Sequence, residues 1–343
     1  MGNLATNQII HSCIHAGQAL RAILSDSKLL NLACVENPWY TPFYLKKAGE
    51  GLMNWINEKS IQSLLNRYPP QKDGPKKIAV IMAANLPFVG FQDLFHVFLS
   101  GNICLYRFST RDTVMMNALL QGWIKIAPEI QEYLLPFEKN AKADFVVATG
   151  GDNTARYTDF QFQNLPRLIR KNRFSIGKIT GNETENDLQN LASDILLFNG
   201  MGCRNVSNLI VPPHYDYLPL LNVLDNYPDE KLSELWKERM RWECAIAEII
   251  PAKSVISKNA ILNFSDELKT VSPGYLNVVE CNSGGRMLEL FQQSIEKIQC
   301  IVGEKPSIPF GTSQEPALDD FADGVDLIAE FRRVLDKKNE NCI

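Results

Sequence analysis

No apolar run in the sequence is one that a bilayer would accept. The most apolar stretch, Ile78 to Tyr106, is interrupted by Asn85, Pro87, Gln92, Asp93, His96 and Asn102. The aspartate alone would cost a spanning helix about 2.5–3.5 kcal/mol, so the stretch reads as strand, turn and helix with no membrane span. An excess of basic charge is also missing. The net charge is −4 and the pI near 5.7, which excludes the electrostatic footprint that phosphate backbones select, so nucleic acid is not expected as a partner. The N-terminus, MGNLATNQIIHSCIHAGQAL, has no basic segment followed by a continuous apolar one and a small-residue cleavage site, so the expectation is a cytoplasmic protein. The 8 cysteines, at 13, 34, 104, 203, 244, 281, 300 and 342, form no C-x-x-C pair and no regular spacing. That argues against a zinc site and a disulfide framework and leaves reduced thiols, with no metal expected. His11, Cys13 and His15 stand two apart on a helical pattern, the two histidines on one face, an ordinary structural arrangement. Internal repeats, low-complexity segments and a flexible interdomain linker are absent as well.

With 343 residues, 45% of them apolar, the chain suits two closely connected lobes. Residues 1 to about 70 have helical periodicity, with Ile9, Ile10, Cys13, Ile14, Leu20, Ile23 and Leu24 three or four apart, then Leu52, Trp55 and Ile56. Between these parts, Asn37 to Tyr44 is too rich in proline and aromatics to be helical; it could line a pocket, but packing two helices together is its commoner use. From Lys76 the pattern alternates. IAVIMA is a strand, NLPFVG a turn, FQDLFHVFLSG a helix and NICLYRF a second strand, which makes one βαβ unit. A helix over about 112–133 follows, then a third strand, ADFVVAT, and a fourth, RFSIGKIT, after an arginine-rich helix or loop. Such alternation predicts a mostly parallel sheet. Asn182 to Glu185 reads as the cap of a helix with Leu188, Leu191, Ile195 and Leu196 along its apolar stripe. SNLIVPP is then a strand, 217–247 is helical, 250–302 is mixed, and from Pro309 a loop leads to a last helix.

Three places can carry chemistry. Cys203 follows Gly200-Met-Gly, where glycines let a ligand approach the backbone, and Arg204 supplies a charge that favours thiolate; an inert core cysteine is the ordinary alternative. Asn85-Leu-Pro-Phe ends a strand, where α/β folds put ligand-contacting loops. Its amide can donate to an oxyanion, or it caps or turns into the helix starting near Phe91. Thr149-Gly150-Gly151-Asp152-Asn153-Thr154 lies between a strand and a helix and can offer N–H groups to a diphosphate, or serve as a plain turn.

Their order along the chain carries more than any one of them. AANLPFVGFQDLFHVFLSGNICLYRFS, then VVATGGDNTARY, then RFSIGKITGNE and DILLFNGMGCRNVSNLIVP, closing on FGTSQEPALDDFADGVD, resembles the acyl-CoA reductase family that includes the fatty-acid reductase of bacterial luminescence, within the aldehyde-dehydrogenase superfamily. The resemblance runs over roughly 35 to 330, in a chain shorter than typical aldehyde dehydrogenases. It implies an α/β fold with a Rossmann-like cofactor domain, 71–175 and about 311–343, preceded by a helical lead-in, 1–70. A smaller α/β catalytic domain, 176–310, would carry the nucleophile. By that resemblance Cys203 is the acyl-accepting cysteine and Asn85 the oxyanion donor, with the Cys203 N–H beside it. Arg107 and Ser109 would approach the adenosine ribose, and Gly150, Gly151 and Thr154 the cofactor diphosphate. Arg107 with Arg111 favours NADPH over NADH. The implied reaction is reduction of a fatty acyl thioester, on CoA or an acyl carrier, to an aldehyde through a cysteine thioester. The superfamily's usual oligomerisation hairpin raises the expectation of a homo-oligomer. The rival readings are a hydrolytic aldehyde dehydrogenase, another cysteine-dependent semialdehyde or acyl-phosphate reductase, and a non-catalytic nucleotide- or acyl-binding scaffold. Against the hydrolytic rival, Leu168 to Thr180 contains no Asp or Glu to serve as a base, while Glu183, Glu185 and Asp187 fall in the capping turn that follows.

Overall fold

Apolar residues three and four apart turn the N-terminal stretch into helices. In the computed structural model, which describes residues 4–69, 74–138, 141–249 and 254–340, with backbone alone at 152–154 and 336–340, α1 (Thr6–Ser25) buries Ile9, Cys13, Ala16, Leu20 and Ile23 on one face. Asp26 caps α2 (Ser27–Glu36) by accepting from the N–H groups of Lys28 and Leu29. Asn57 does the same for α4 (Glu58–Arg67). Between them the proline-aromatic segment departs from expectation, because α3 (Pro42–Trp55) begins inside it. Pro42 occupies the first helical position, where its missing N–H costs nothing, and Thr41 Oγ1 accepts from Tyr44 N at 3.1 Å.

The chain divides into two compact units, one made of Met1–Asn37, Leu45–Lys171 and Ala317–Ile343, the other of Pro38–Tyr44 and Asn172–Pro316. In the first, β1 (Lys77–Ile81), α5 (Phe91–Leu99) and β2 (Ile103–Arg107) form the βαβ unit that the alternation predicts. Nearly all of α5 is buried, and its buried polar residues are paired, Asp93 with Arg170 and His96 with Leu318 O. Phe91, Phe95 and Phe98 surround Trp123 with ring centroids 6.4, 6.2 and 5.0 Å away. Trp123 stands on α6 (Thr113–Ile126) and donates its indole N–H to Ser12 O at 2.6 Å, tying α6 to α1. The helix expected to reach 133 stops at Ile126, since Pro128 cannot continue it. A 3-10 turn and a short strand, β3 (Leu134–Pro136), follow.

After β4 (Phe145–Thr149) and α7 (Asp152–Gln161), the arginine-rich stretch is a strand, β5 (Arg167–Arg170). Its arginines are neutralised in place. Arg167 pairs with Asp159 at 2.6 Å and reaches three carbonyls of the preceding turn. Arg170, on a sheet edge, is 5% exposed; it forks onto Asp93 of α5 at 2.7 and 3.2 Å and donates to Ala322 O at 2.6 Å. The sheet order is β3-β2-β1-β4-β5, with every pair parallel. That is the order of dinucleotide-binding sheets, whose ligand crevice opens where the strand order reverses.

The strand RFSIGKIT is therefore not a fourth member of that series. As β6 (Phe174–Lys178) it opens the second unit. It continues with α8 (Glu185–Leu196), β7 (Val206–Val211), α9 (Leu218–Asp225), α10 (Glu234–Ile249), β8 (Ser254–Ile256), β9 (Ile261–Phe264), β10 (Tyr275–Glu280), α11 (Gly284–Ser294) and β11 (Ile298–Val302). The region 217–247 is two helices, interrupted around Pro228. The second sheet runs β11-β6-β7-β10-β9-β8, parallel except for β8 against β9. Leu191, Leu209, Leu220, Trp236, Leu262 and Val302 pack at its centre with no exposed surface. The chain then returns to the first unit with α12 (Leu327–Glu340), where His96 Nε2 meets Leu318 O at 2.9 Å. Burial lowers the His96 pKa to about 4, so the ring is neutral there. Among the described residues no helix is long and apolar enough to cross a membrane.

Removing one partner of a buried ion pair strands the other in low dielectric. Arg170→Ala is expected to destabilise the protein by about 3–5 kcal/mol, read as a lowered midpoint in urea. A loss under about 1 kcal/mol would mean that water replaces the guanidinium.

Candidate active site

The cysteine loop begins where α8 ends. Thr184 and Asp187 form the capping box at the helix start, with Thr184 Oγ1 accepting from Asp187 N at 3.2 Å and Asp187 Oδ2 accepting from Thr184 N at 3.0 Å. Glu183 accepts from Thr180 N and Gly181 N at 2.6 and 2.9 Å. These carboxylates are thus spent on the turn and the cap. At the other end of α8, three consecutive residues adopt left-handed backbone: Phe198 and Asn199 at φ 56° and Gly200 at φ 63°. A Cβ at Gly200 would lie 3.1 Å from Ile195 O, which together with the positive φ favours glycine there. The two non-glycine positions each cost about 1–3 kcal/mol and are over-determined by packing. Asn199, 1% exposed, accepts from Tyr44 OH at 3.1 Å and from Ser233 N and Oγ at 3.3 and 3.1 Å, and donates to Trp39 O at 2.9 Å. The Phe198 ring lies 5.3 Å from that of Tyr44.

Beyond this bend the chain makes a turn from Gly202 to Asn205, with Cys203 and Arg204 at its two central positions. Asn205 N donates to Gly202 O at 3.0 Å, and Gly202 N donates to Asn205 Oδ1 at 2.8 Å. The Asn205 amide also donates to Asp194 O, Ile195 O and Leu197 O at 3.0, 3.4 and 2.8 Å, closing the carbonyl end of α8. Cys203 is half-buried. Its carbonyl accepts from Ser175 Oγ of β6 at 2.8 Å, and the same hydroxyl lies 3.1 Å from Cys300 Sγ of β11. Arg204 reaches Ser313 O at 3.4 Å. The 311–313 loop is itself pinned by Asp194, which accepts from Gly311 N and Ser313 N at 2.6 and 3.0 Å. Cys13 and Cys104 are fully buried, which pushes their thiols well up. Cys244 is also raised, by burial first and then by neighbouring carboxylates. Sequence reasoning missed Ser175, Asn199, Asn205, Asp194 and Cys300. The Asn-Gly pair at 199–200 was a turn signal; the others depend on long-range contact.

In the first unit, the carboxyl ends of β1 and β4 run side by side, with Ile81 opposite Ala148, and between them the strand order reverses. Asn85 follows β1 and is exposed. Gly90, not Asn85, occupies the N-cap of α5, so Asn85 is a turn residue and the capping alternative falls. Gly150 and Gly151 follow β4. Gly151 is the N-cap of α7, at φ −67° and ψ 172°. Thr154 falls within α7, and its side chain lies outside the described residues. Arg107 ends β2, its guanidinium 4.7 Å from the centre of the Phe137 ring. Ser109 Oγ accepts from Arg111 N at 3.4 Å. The first unit therefore brings together Asn85, Arg107, Ser109, Gly150 and Gly151 at the ends of neighbouring strands, while Cys203 belongs to the second. A cavity of about 290 Å³ lined by Ala155, Arg156, Asp159, Ile169 and Lys171 includes none of these residues. Among the described residues no cluster of three or more His, Cys, Asp or Glu is placed to hold a metal.

No protein-family model matches the chain, and no curated protein matches it significantly. Solved structures do. The P. syringae indole-3-acetaldehyde dehydrogenase AldA, in complex with NAD+ and IAA, superposes with a TM-score of 0.64 at 11% identity, covering 92% of this chain and 75% of that one. The aldehyde dehydrogenase KauB from Pseudomonas aeruginosa gives 0.64 at 12% identity, covering 87% and 72%. Proline utilization A from Corynebacterium freiburgense gives 0.63 at 12% identity; this chain is covered over 88%, but spans only 38% of that protein. At such identities the likeness establishes the fold, which is that of the aldehyde dehydrogenases.

Asp112, at the start of α6, is 3% exposed and its carboxyl is pushed up to about 8, chiefly by burial, with Phe88 N–H opposing and Glu36 adding to the rise. The folded state keeps a proton that the unfolded chain releases near 3.8. Wild type should therefore lose stability relative to Asp112→Asn as pH rises from about 4 to about 8, with a constant gap above. Urea midpoints of the two proteins across that range check this; a gap that does not change with pH is the contrary result.

Proposed function

We propose that the protein is an acyl-CoA reductase, an acylating aldehyde dehydrogenase that takes a fatty acyl group onto Cys203 and releases it as an aldehyde, with NADPH as the preferred reductant. What carries the reading is the presentation of Cys203: a half-buried thiol at the centre of a turn held by Asn205 and by a strained left-handed bend, in a fold shared with aldehyde dehydrogenases.

In this reading the Cys203 thiolate attacks the thioester carbonyl, an oxyanion forms, and the CoA thiolate leaves with the electron pair of the broken C–S bond. Asn85 and the Cys203 N–H donate to the oxyanion. The left-handed bend and the Asn205 staple keep the cysteine N–H from reorganising as charge develops. Gly150, Gly151 and the start of α7 would hold the cofactor diphosphate, and Arg107 with Ser109 would lie toward its adenosine ribose. The nicotinamide, when bound, supplies the hydride that reduces the enzyme thioester. Arg107 and Arg111 favour a 2′-phosphate. The fate of the acyl group follows from β6. The side chain that strand turns toward the cysteine turn is the neutral hydroxyl of Ser175, which does not activate water as a carboxylate would. The acyl group then leaves to hydride or returns to CoA.

Cys203→Ala should keep the fold and lose acyl-CoA-dependent NADPH oxidation. Mass spectrometry of wild type mixed with acyl-CoA alone should place the adduct on Cys203, and an adduct on Cys104 or Cys244 would refute the assignment. Asn85→Ala should lower turnover by roughly 10²–10³, and a change under about threefold would leave Asn85 a turn residue only. Run in reverse with a medium- or long-chain aldehyde and NADP+, the enzyme should turn over only when CoA is present. Free acid formed at a comparable rate without CoA would support hydrolysis instead.

A further inference from the structure

The turn that carries Asn85 is gripped from both sides by buried polar side chains that belong to other elements. Before it, Asn37, 1% exposed at the C-cap of α2, donates its amide to Ala84 O at 3.1 Å. After it, Asp112 Oδ2 accepts from Phe88 N at 3.0 Å. Phe88 needs that grip: it is a buried, non-glycine residue at φ 58°, a conformation that persists only where its surroundings impose it.

Asp112 reaches Phe88 at the expense of its usual work. An aspartate at a helix N-cap ordinarily accepts from the N–H groups of its own first turn, yet Asp112, at the N-cap of α6, makes no such bond. Glu36, at the end of α2, caps α6 instead, accepting from Val114 N at 3.0 Å and from Thr113 Oγ1. The second oxygen of Asp112 is buried without a partner, which is unfavourable. The Asp112 carboxyl has been released from its helix, and Glu36 recruited to replace it, with the effect that residue 88 is held.

We infer that Asn37 and Asp112 are positioning residues that set the Ala84–Phe88 turn and through it the direction of the Asn85 amide. The inference rests on the role proposed above for Asn85. An oxyanion donor is effective only where its direction is set before the charge appears, and a turn fixed at both ends meets that need.

The test combines amide exchange with kinetics. In Asp112→Ala, exchange of peptides covering 82–91 should rise about tenfold or more while the second unit is unchanged. Asp112→Asn, whose amide oxygen can still accept from Phe88, should recover most of the protection. In acyl-CoA reduction, Asp112→Ala should lower kcat by about 10–100-fold, with less than about threefold change in the acyl-CoA KM, and Asp112→Asn should recover most of kcat. Because the effect passes through Asn85, the double variant Asn85→Ala/Asp112→Ala should be little worse than Asn85→Ala alone. Unchanged exchange in Asp112→Ala would remove the grip. Altered exchange with unchanged kcat, or losses that add in the double variant, would make the contact structural and overturn the positioning role. If Asn85→Ala itself leaves turnover intact in an active wild type, the failure is that of the Asn85 reading, and the positioning role falls with it.

Discussion

The cysteine turn depends on one buried side-chain amide. Asn205 closes the turn through its Oδ1 and, through its Nδ2, takes the carbonyls that α8 leaves open at Asp194, Ile195 and Leu197. Helix end, left-handed bend and cysteine turn thus share one anchor, and the geometry of Cys203 is inherited from the end of α8. Asp194 extends the same frame to the 311–313 loop, and Ser175 fixes the cysteine carbonyl from β6. In this frame the bonds of Ser175 and Asp194 join residues 28 to 119 positions apart, whereas those of the Asn205 amide reach back only 8 to 11.

The first unit solves a different problem with the same means. Its sheet places two loops at a switch point, and polar side chains set the elements around it: the buried Asp112 carboxyl against Phe88, the half-buried Glu36 against the start of α6 and the buried pair of Arg170 with Asp93. Charges this deep do little for stability as pairs. Their value is directional, since each holds a backbone or helix that apolar packing alone would leave free to slide.

The sequence was legible where local periodicity and punctuation governed. The first βαβ unit, the capping box before α8, the stripe Leu188, Leu191, Ile195 and Leu196 and the turn at Asn199-Gly200 all carry signals within a few residues. It was misleading where partners are distant. Arg167–Arg170 looked unfit for a strand because nothing nearby reveals Asp93 or Asp159 as counter-charges. Pro42 looked like a breaker because first-turn and interior prolines read alike without the cap. The passage from one sheet to the next between β5 and β6 leaves no mark in composition. Of the site, the residue types at 85, 107, 150, 151 and 203 stood out; the frame of Asn199, Asn205, Asp194 and Ser175 did not, because a buried asparagine or serine looks the same in sequence as a solvated one.

The return of the chain to its first unit has a consequence for biosynthesis. Leu318, which closes on His96 across 222 positions, and Ala322, which receives Arg170, are made only after the whole of the second unit. At about 5–20 residues per second, His96 waits roughly 10–45 s for its partner, and Arg170 is synthesised long before the carbonyl that completes its coordination. The second unit is therefore finished inside an unfinished host. During that interval the newly made β5 edge is open to strand addition from neighbouring nascent chains, and its arginines, still lacking one of their acceptors, are the charges that discourage it.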